Sequence, residues 1–135
     1  MNFSFFVKLY LLTIPVFFLI DMLWLGVIAK NLYRPRIGHL MSDDVNWIAA
    51  FLFYFMYIVG IIFFAVTPAL KDGNWQTAIL MGAAFGFFTY ATYDLTNLAT
   101  LRDWSVTVVI ADIIWGTVLC GAVASASFFI GKWLQ

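Results

Sequence analysis

The chain has 135 residues with seven basic and seven acidic side chains, so it carries no formal net charge; 64% of its residues are hydrophobic and only 10% are charged. Soluble domains are about 25% charged, and so few polar residues cannot cover a water-soluble fold of this size. The neutral balance, with no basic cluster beyond Lys30, Arg34 and Arg36, gives nucleic acid no electrostatic footprint. The single cysteine, Cys120, rules out an internal disulfide and cysteine-built zinc or iron–sulfur sites; it reads as a small packing residue.

Apolar runs predict an all-α integral membrane protein, a single transmembrane domain over 1–135 built as an antiparallel four-helix bundle. The predicted spans cover about 5–29, 47–70, 75–99 and 105–131. Each has the roughly 20 residues a helix needs to cross a bilayer core. Span one contains Pro15, which is expected to kink it, and reads as retained rather than as a cleaved leader, because no small-residue cleavage pattern follows it. A long loop, about 30–46, holds Arg34, Arg36 and His39. Span two closes near Pro68, and the Lys71-Asp72-Gly73-Asn74 turn forces span three back beside it. Span four follows a short connection around Arg102. Trp47, Trp75, Trp104 and Trp133 fall at span ends, where indoles favour the headgroup level. Lys30, Arg34, Arg36 and Arg102 outnumber Lys8, Lys71 and Lys132 on the opposite face, so the first and third loops are expected in the cytoplasm and both termini outside.

Three carboxyls interrupt these spans: Asp21, Asp94 and Asp112. At ~1.5 Å per residue they sit roughly 12, 8 and 10 Å below one face, which predicts one polar layer. Tyr54 and Tyr57 from span two reach it, as do Tyr93, Thr96 and Asn97 around Asp94. Asp21 and Asp112 are each followed three residues on by a tryptophan, Trp24 and Trp115, on the same helical face. Asp94 is expected to find partners in Asn97, a tyrosine hydroxyl and the other carboxyls. Such acids usually face inward and carry function; the plainer reading is that they only join helices by hydrogen bonds. Acids this close need a proton, a cation or a basic side chain, and Arg34, Arg36, His39 and Arg102 are expected to act as a lid or to touch headgroups. Asp21, Asp94 and Asp112 together would suit a divalent cation such as Mg²⁺, Ca²⁺ or Mn²⁺. Small residues at four-residue steps, Gly82 with Gly86 and Gly116 with Cys120 and Ala124, mark close helix approaches and put Asp112 on a packed face.

The motifs Asp21-x-x-Trp24-x-Gly26, Tyr93-Asp94-x-Thr96-Asn97 and Asp112-x-x-Trp115-Gly116 together resemble a family of small bacterial inner-membrane proteins of unknown function with four predicted spans. The resemblance implies a multi-pass protein of the bacterial plasma membrane and names no activity. Three functions stay open. The first is a pocket that binds or transports a proton, a cation or a cationic small molecule, with membrane lipid around it and a homodimer expected for transport. The second is a lipid-modifying membrane enzyme using Asp94 or Asp112 as acid or base, with Arg34 or His39 on a phosphate. The third is an assembly subunit of a membrane complex.

Overall fold

Side-chain caps open every long helix of the computed structural model, which describes residues 1–135. Asn2 accepts a hydrogen bond from the Phe5 amide at the start of α1 (Phe3–Leu23). This helix runs on through a π turn, Trp24–Ile28, and a 3-10 turn, Ala29–Asn31. The first loop contains one α-helical turn, α2 (Arg34–Ile37), followed by a 3-10 turn, Gly38–Leu40. Asn46 caps α3 (Trp47–Ile61), which continues through a second π turn, Ile62–Val66, into α4 (Thr67–Asp72). Asn74 caps α5 (Trp75–Thr100), and Ser105 caps α6 (Val106–Leu134). Each such cap satisfies an amide that the helix itself leaves unpaired, worth about 1 kcal/mol.

The chain stops and reverses where its chemistry allows. Gly73 takes φ 67°, the left-handed conformation that ends α4 and that glycine adopts without a Cβ penalty. Pro68 cannot donate to the turn before it, and the π turn directly upstream absorbs the mismatch. Thr67 Oγ1 donates there to the Ile62 carbonyl at 2.9 Å. Pro15, expected to kink the first span, lies within an uninterrupted α1.

Contacts fix the helix directions. Thr13 and Ser127 share a buried hydroxyl bond of 2.7 Å, and Asp21 meets Trp115 further along, so α1 and α6 run antiparallel. Gly82 faces Cys120 and Ala124 while Gly86 faces the Gly116 backbone, so α5 and α6 do too. Gly60 lies against Phe85, and Tyr57 bonds Thr89, which sets α3 antiparallel to α5. The core between them is built from Leu9, Phe17, Ile58, Ile61, Leu119 and Val123, with their neighbours.

The outside is as apolar as the inside: Phe3 and Ile48 are each 84% exposed, and many Phe, Leu and Val side chains accompany them. Contiguous exposed apolar surface of this kind marks a surface meant for something other than water. Three helical stretches, Phe3–Asn31, Trp47–Asp72 and Val106–Leu134, are long and apolar enough to cross a membrane. The fourth long helix, α5, has 26 residues but carries more polar side chains and is not among them.

Candidate functional site

Asp94 sits on the face of α5 that packs against α6, and it is fully buried. Neither carboxyl oxygen has a hydrogen-bond partner. The polar groups that face it are the Asp112 carboxyl and the Trp104 indole, whose Nε1 is also buried and unbonded. Asp112 projects from α6 and is 7% exposed. It accepts a hydrogen bond from the Tyr33 hydroxyl, which the first loop inserts from outside. That hydroxyl accepts in turn from Trp24 Nε1 at 3.1 Å. The Trp24 and Trp115 rings stack 4.6 Å apart and within 6° of parallel. On the far side of the stack, Trp115 Nε1 donates to Asp21 Oδ1 at 3.4 Å, and the Tyr54 hydroxyl faces the same carboxyl.

These contacts make a connected chain: Asp21, Trp115, Trp24, Tyr33, Asp112, Asp94. The π turn at Trp24–Ile28 begins on one of the stacked indoles; extra-wide turns of this type recur at functional sites. Tyr33 lies outside the apolar helices, and its hydroxyl is pushed well above the usual phenol range, first by burial and then by bonding to Asp112.

Several expectations change here. The three carboxyls do not form one cation site: no three His, Cys, Asp or Glu side chains come close enough to hold a metal ion. The indole pair stands between Asp21 and the other two. Asn97, expected as the partner of Asp94, does not bond it. Thr96 is exposed, and its hydroxyl returns to carbonyls of its own helix, at Thr92 and Tyr93. Tyr57 bonds Thr89 and Cys120, at 2.7 and 3.1 Å, rather than a carboxylate. Tyr93 is 57% exposed and packs edge-on to Trp104. Arg34, Arg36, His39 and Arg102 are all exposed. Arg36 donates to the Leu32 carbonyl, and His39 pairs with Asp103 at 3.6 Å, so no cationic side chain neutralises the buried acids.

Two residues of the site carried no mark in the sequence. Tyr33 lies two residues beyond the first helical stretch, where an aromatic reads as a headgroup anchor. Trp104 was expected at the membrane surface for the same reason, yet its indole nitrogen turns in beside Asp94. A position at a span end does not distinguish a ring that faces lipid from one that folds inward.

Beside Asp112 lies a cavity of about 390 Å³ between α3, α5 and α6, lined by Phe53, Tyr57, Thr89, Tyr90, Tyr93 and Asp112. Tyr90 is held against it because its ring rests on Gly116, where a Cβ would collide with it.

A family model described as "Predicted membrane protein (DUF2177)" matches residues 6–129. The chain belongs to the DUF2177 family. The match spans every member of the polar chain from Asp21 to Trp115. No curated protein and no solved structure matches this DUF2177 chain.

Proposed function

We propose that the protein is a four-span component of the bacterial inner membrane whose Asp94–Asp112 pair binds a proton or a cation. The observation that carries this reading is Asp94, fully buried, without a hydrogen bond, and facing a second carboxyl. An ionised carboxylate in such a place costs several kcal/mol, and two carboxylates side by side cannot both stay charged without compensation. No arginine, lysine or histidine supplies it, so one proton or one bound cation does.

The fourth crossing is supported by how α5 handles its polar groups. The hydroxyls of Thr89, Thr92, Thr96 and Thr100 each bond a carbonyl four residues back. Each hydroxyl donor is thereby satisfied inside its own helix, which suits a helix that faces lipid. The tight turn at Gly73 and the antiparallel contact with α6 run α5 alongside the membrane-length helices. The basic excess around Lys30, Arg34, Arg36 and Arg102 favours the cytoplasm for the first and third loops. His39 and Asp103 link these two loops on the same face.

Infrared difference spectroscopy of the protein in nanodiscs, titrated with acid, tests the pair. A protonated-carboxyl C=O band should be present and should be lost or shifted in both Asp94→Asn and Asp112→Asn. A spectrum that neither substitution alters would overturn the reading.

A further inference from the structure

We propose that the cavity beside Asp112 is a binding site for a quaternary ammonium group carried by a membrane amphiphile, with the tail lying in the neighbouring groove of α3. The inference rests on the acidic pair proposed above, which meets the cation's charge.

The cavity walls decide the chemistry. Four of the six lining side chains are aromatic rings, Phe53, Tyr57, Tyr90 and Tyr93, and one is a carboxyl, Asp112. The rings lie at several angles: Phe53 and Tyr57 are 5.3 Å apart and tilted by 34°, while Tyr57 and Tyr90 are 6.3 Å apart at 68°. Aromatic faces around a carboxylate attract a methylated ammonium through the ring quadrupoles and the charge. A metal ion or a primary ammonium needs several oxygen acceptors to replace its water. Two of the lining hydroxyls and one carboxyl oxygen are already engaged here. The Thr89 and Tyr57 hydroxyls bond each other; Thr89 also bonds the Phe85 carbonyl and Tyr57 also bonds Cys120. Asp112 Oδ1 accepts from Tyr33. A quaternary ammonium has no N–H to satisfy and needs only faces and a counter-charge.

The surroundings decide the source. At about 390 Å³ the cavity falls within the ~300–1,000 Å³ of small-molecule sites. Its rim residues Phe53 and Tyr93 are 50% and 57% exposed, and both sit inside helices of the bundle, so the mouth faces sideways. Phe53 and Tyr57 also line a second hollow of about 490 Å³, otherwise walled by Leu52, Met56, Gly60 and Phe85 among others. A polar end bounded by aromatics next to a continuous apolar groove matches a molecule with a cationic head and a hydrocarbon tail.

Binding of dodecyltrimethylammonium to the full chain in nanodiscs of anionic and zwitterion-free lipid tests the proposal, with tetramethylammonium and the neutral dodecyl maltoside as separate arms. The amphiphilic cation should bind, and Tyr93→Leu and Asp112→Asn should each weaken it by about tenfold, in the range of a desolvated cation–aromatic or ionic contact. Phe53→Leu, on the exposed rim, should weaken it without moving the melting temperature. Equal affinity for tetramethylammonium would overturn the assignment of a tailed ligand. Equal affinity for dodecyl maltoside would overturn the assignment of a cationic head. If nothing binds while the carboxyl band of Asp94 and Asp112 is intact, this inference fails and the acidic pair stands; if that band is missing and no inorganic cation binds in its place, the pair itself fails.

Discussion

Tyr33 ties three parts of the molecule together through one oxygen: it donates to Asp112, accepts from Trp24 and anchors the first loop. Tyr33→Phe keeps the ring and removes both bonds, leaving an indole N–H and a carboxyl oxygen short of a partner. The expected cost is about 1–3 kcal/mol, read as a lower melting temperature and faster hydrogen exchange at residues 32–40. Alkaline titration gives a second check. Burial and Asp112 hold the Tyr33 phenol above its ordinary value, so the folded state keeps a proton that the unfolded state loses. Stability from this group is therefore complete below about pH 10, the unfolded phenol value, and falls as pH rises above it. Tyr33→Phe should flatten that decline. The indole stack can be tested separately: Trp24→Leu should cost about 0.5–1.5 kcal/mol beyond lost burial and should disturb Asp112 through Tyr33. At this scale the sequence was only half legible. Asp21, Asp94 and Asp112 stand out because a charge in an apolar run is rare, and all three are buried as expected. Their partners do not stand out, since Tyr33 and Trp104 look like ordinary span-end aromatics until the loop is folded.

The α5–α6 contact is made by what is missing from it. A Cβ on Gly86 would strike the Gly116 carbonyl, and one on Gly82 would come within 2.5 Å of the Cys120 carbonyl. Backbones packed this closely hold Asp94 opposite Asp112. Gly86→Ala should cost about 1–3 kcal/mol, the usual range for overpacking, and should separate the two carboxyls enough to change their infrared band. Gly116→Ala pushes instead on the Tyr90 ring, so its effect should fall on the aromatic cavity before the acidic pair. The spacing of small residues made this interface legible, because only side chains of minimal size let two helices approach so nearly. The π turns were not legible: Pro68 marks a break in the hydrogen-bond ladder, but nothing in the local pattern says that the turn upstream of it widens.

The whole chain contains one thiol, at Cys120, and it is fully buried. Introduced cysteines can therefore report sidedness against a silent background. If the proposed topology of four crossings and cytoplasmic first and third loops holds, His39→Cys should be blocked by a membrane-impermeant thiol reagent only in inverted vesicles. Asn74→Cys should be blocked in intact cells. Labelling of both from the same side would refute that topology. Composition made the membrane class plain, and three of the four helices declare themselves by hydropathy alone. The fourth, α5, is harder to read because the residues that make the site, Asp94 and its threonines, are the same ones that lower its hydropathy.

The cavity rim at Phe53 and Tyr93 lies within α3 and α5, so in the proposed membrane arrangement it opens sideways rather than toward water. A tailed molecule would reach it by lateral diffusion within the leaflet, so occupancy would follow its mole fraction among the surrounding lipids. Diluting the sample with buffer would leave the bound fraction almost unchanged, whereas enlarging the lipid pool at constant ligand would empty the site.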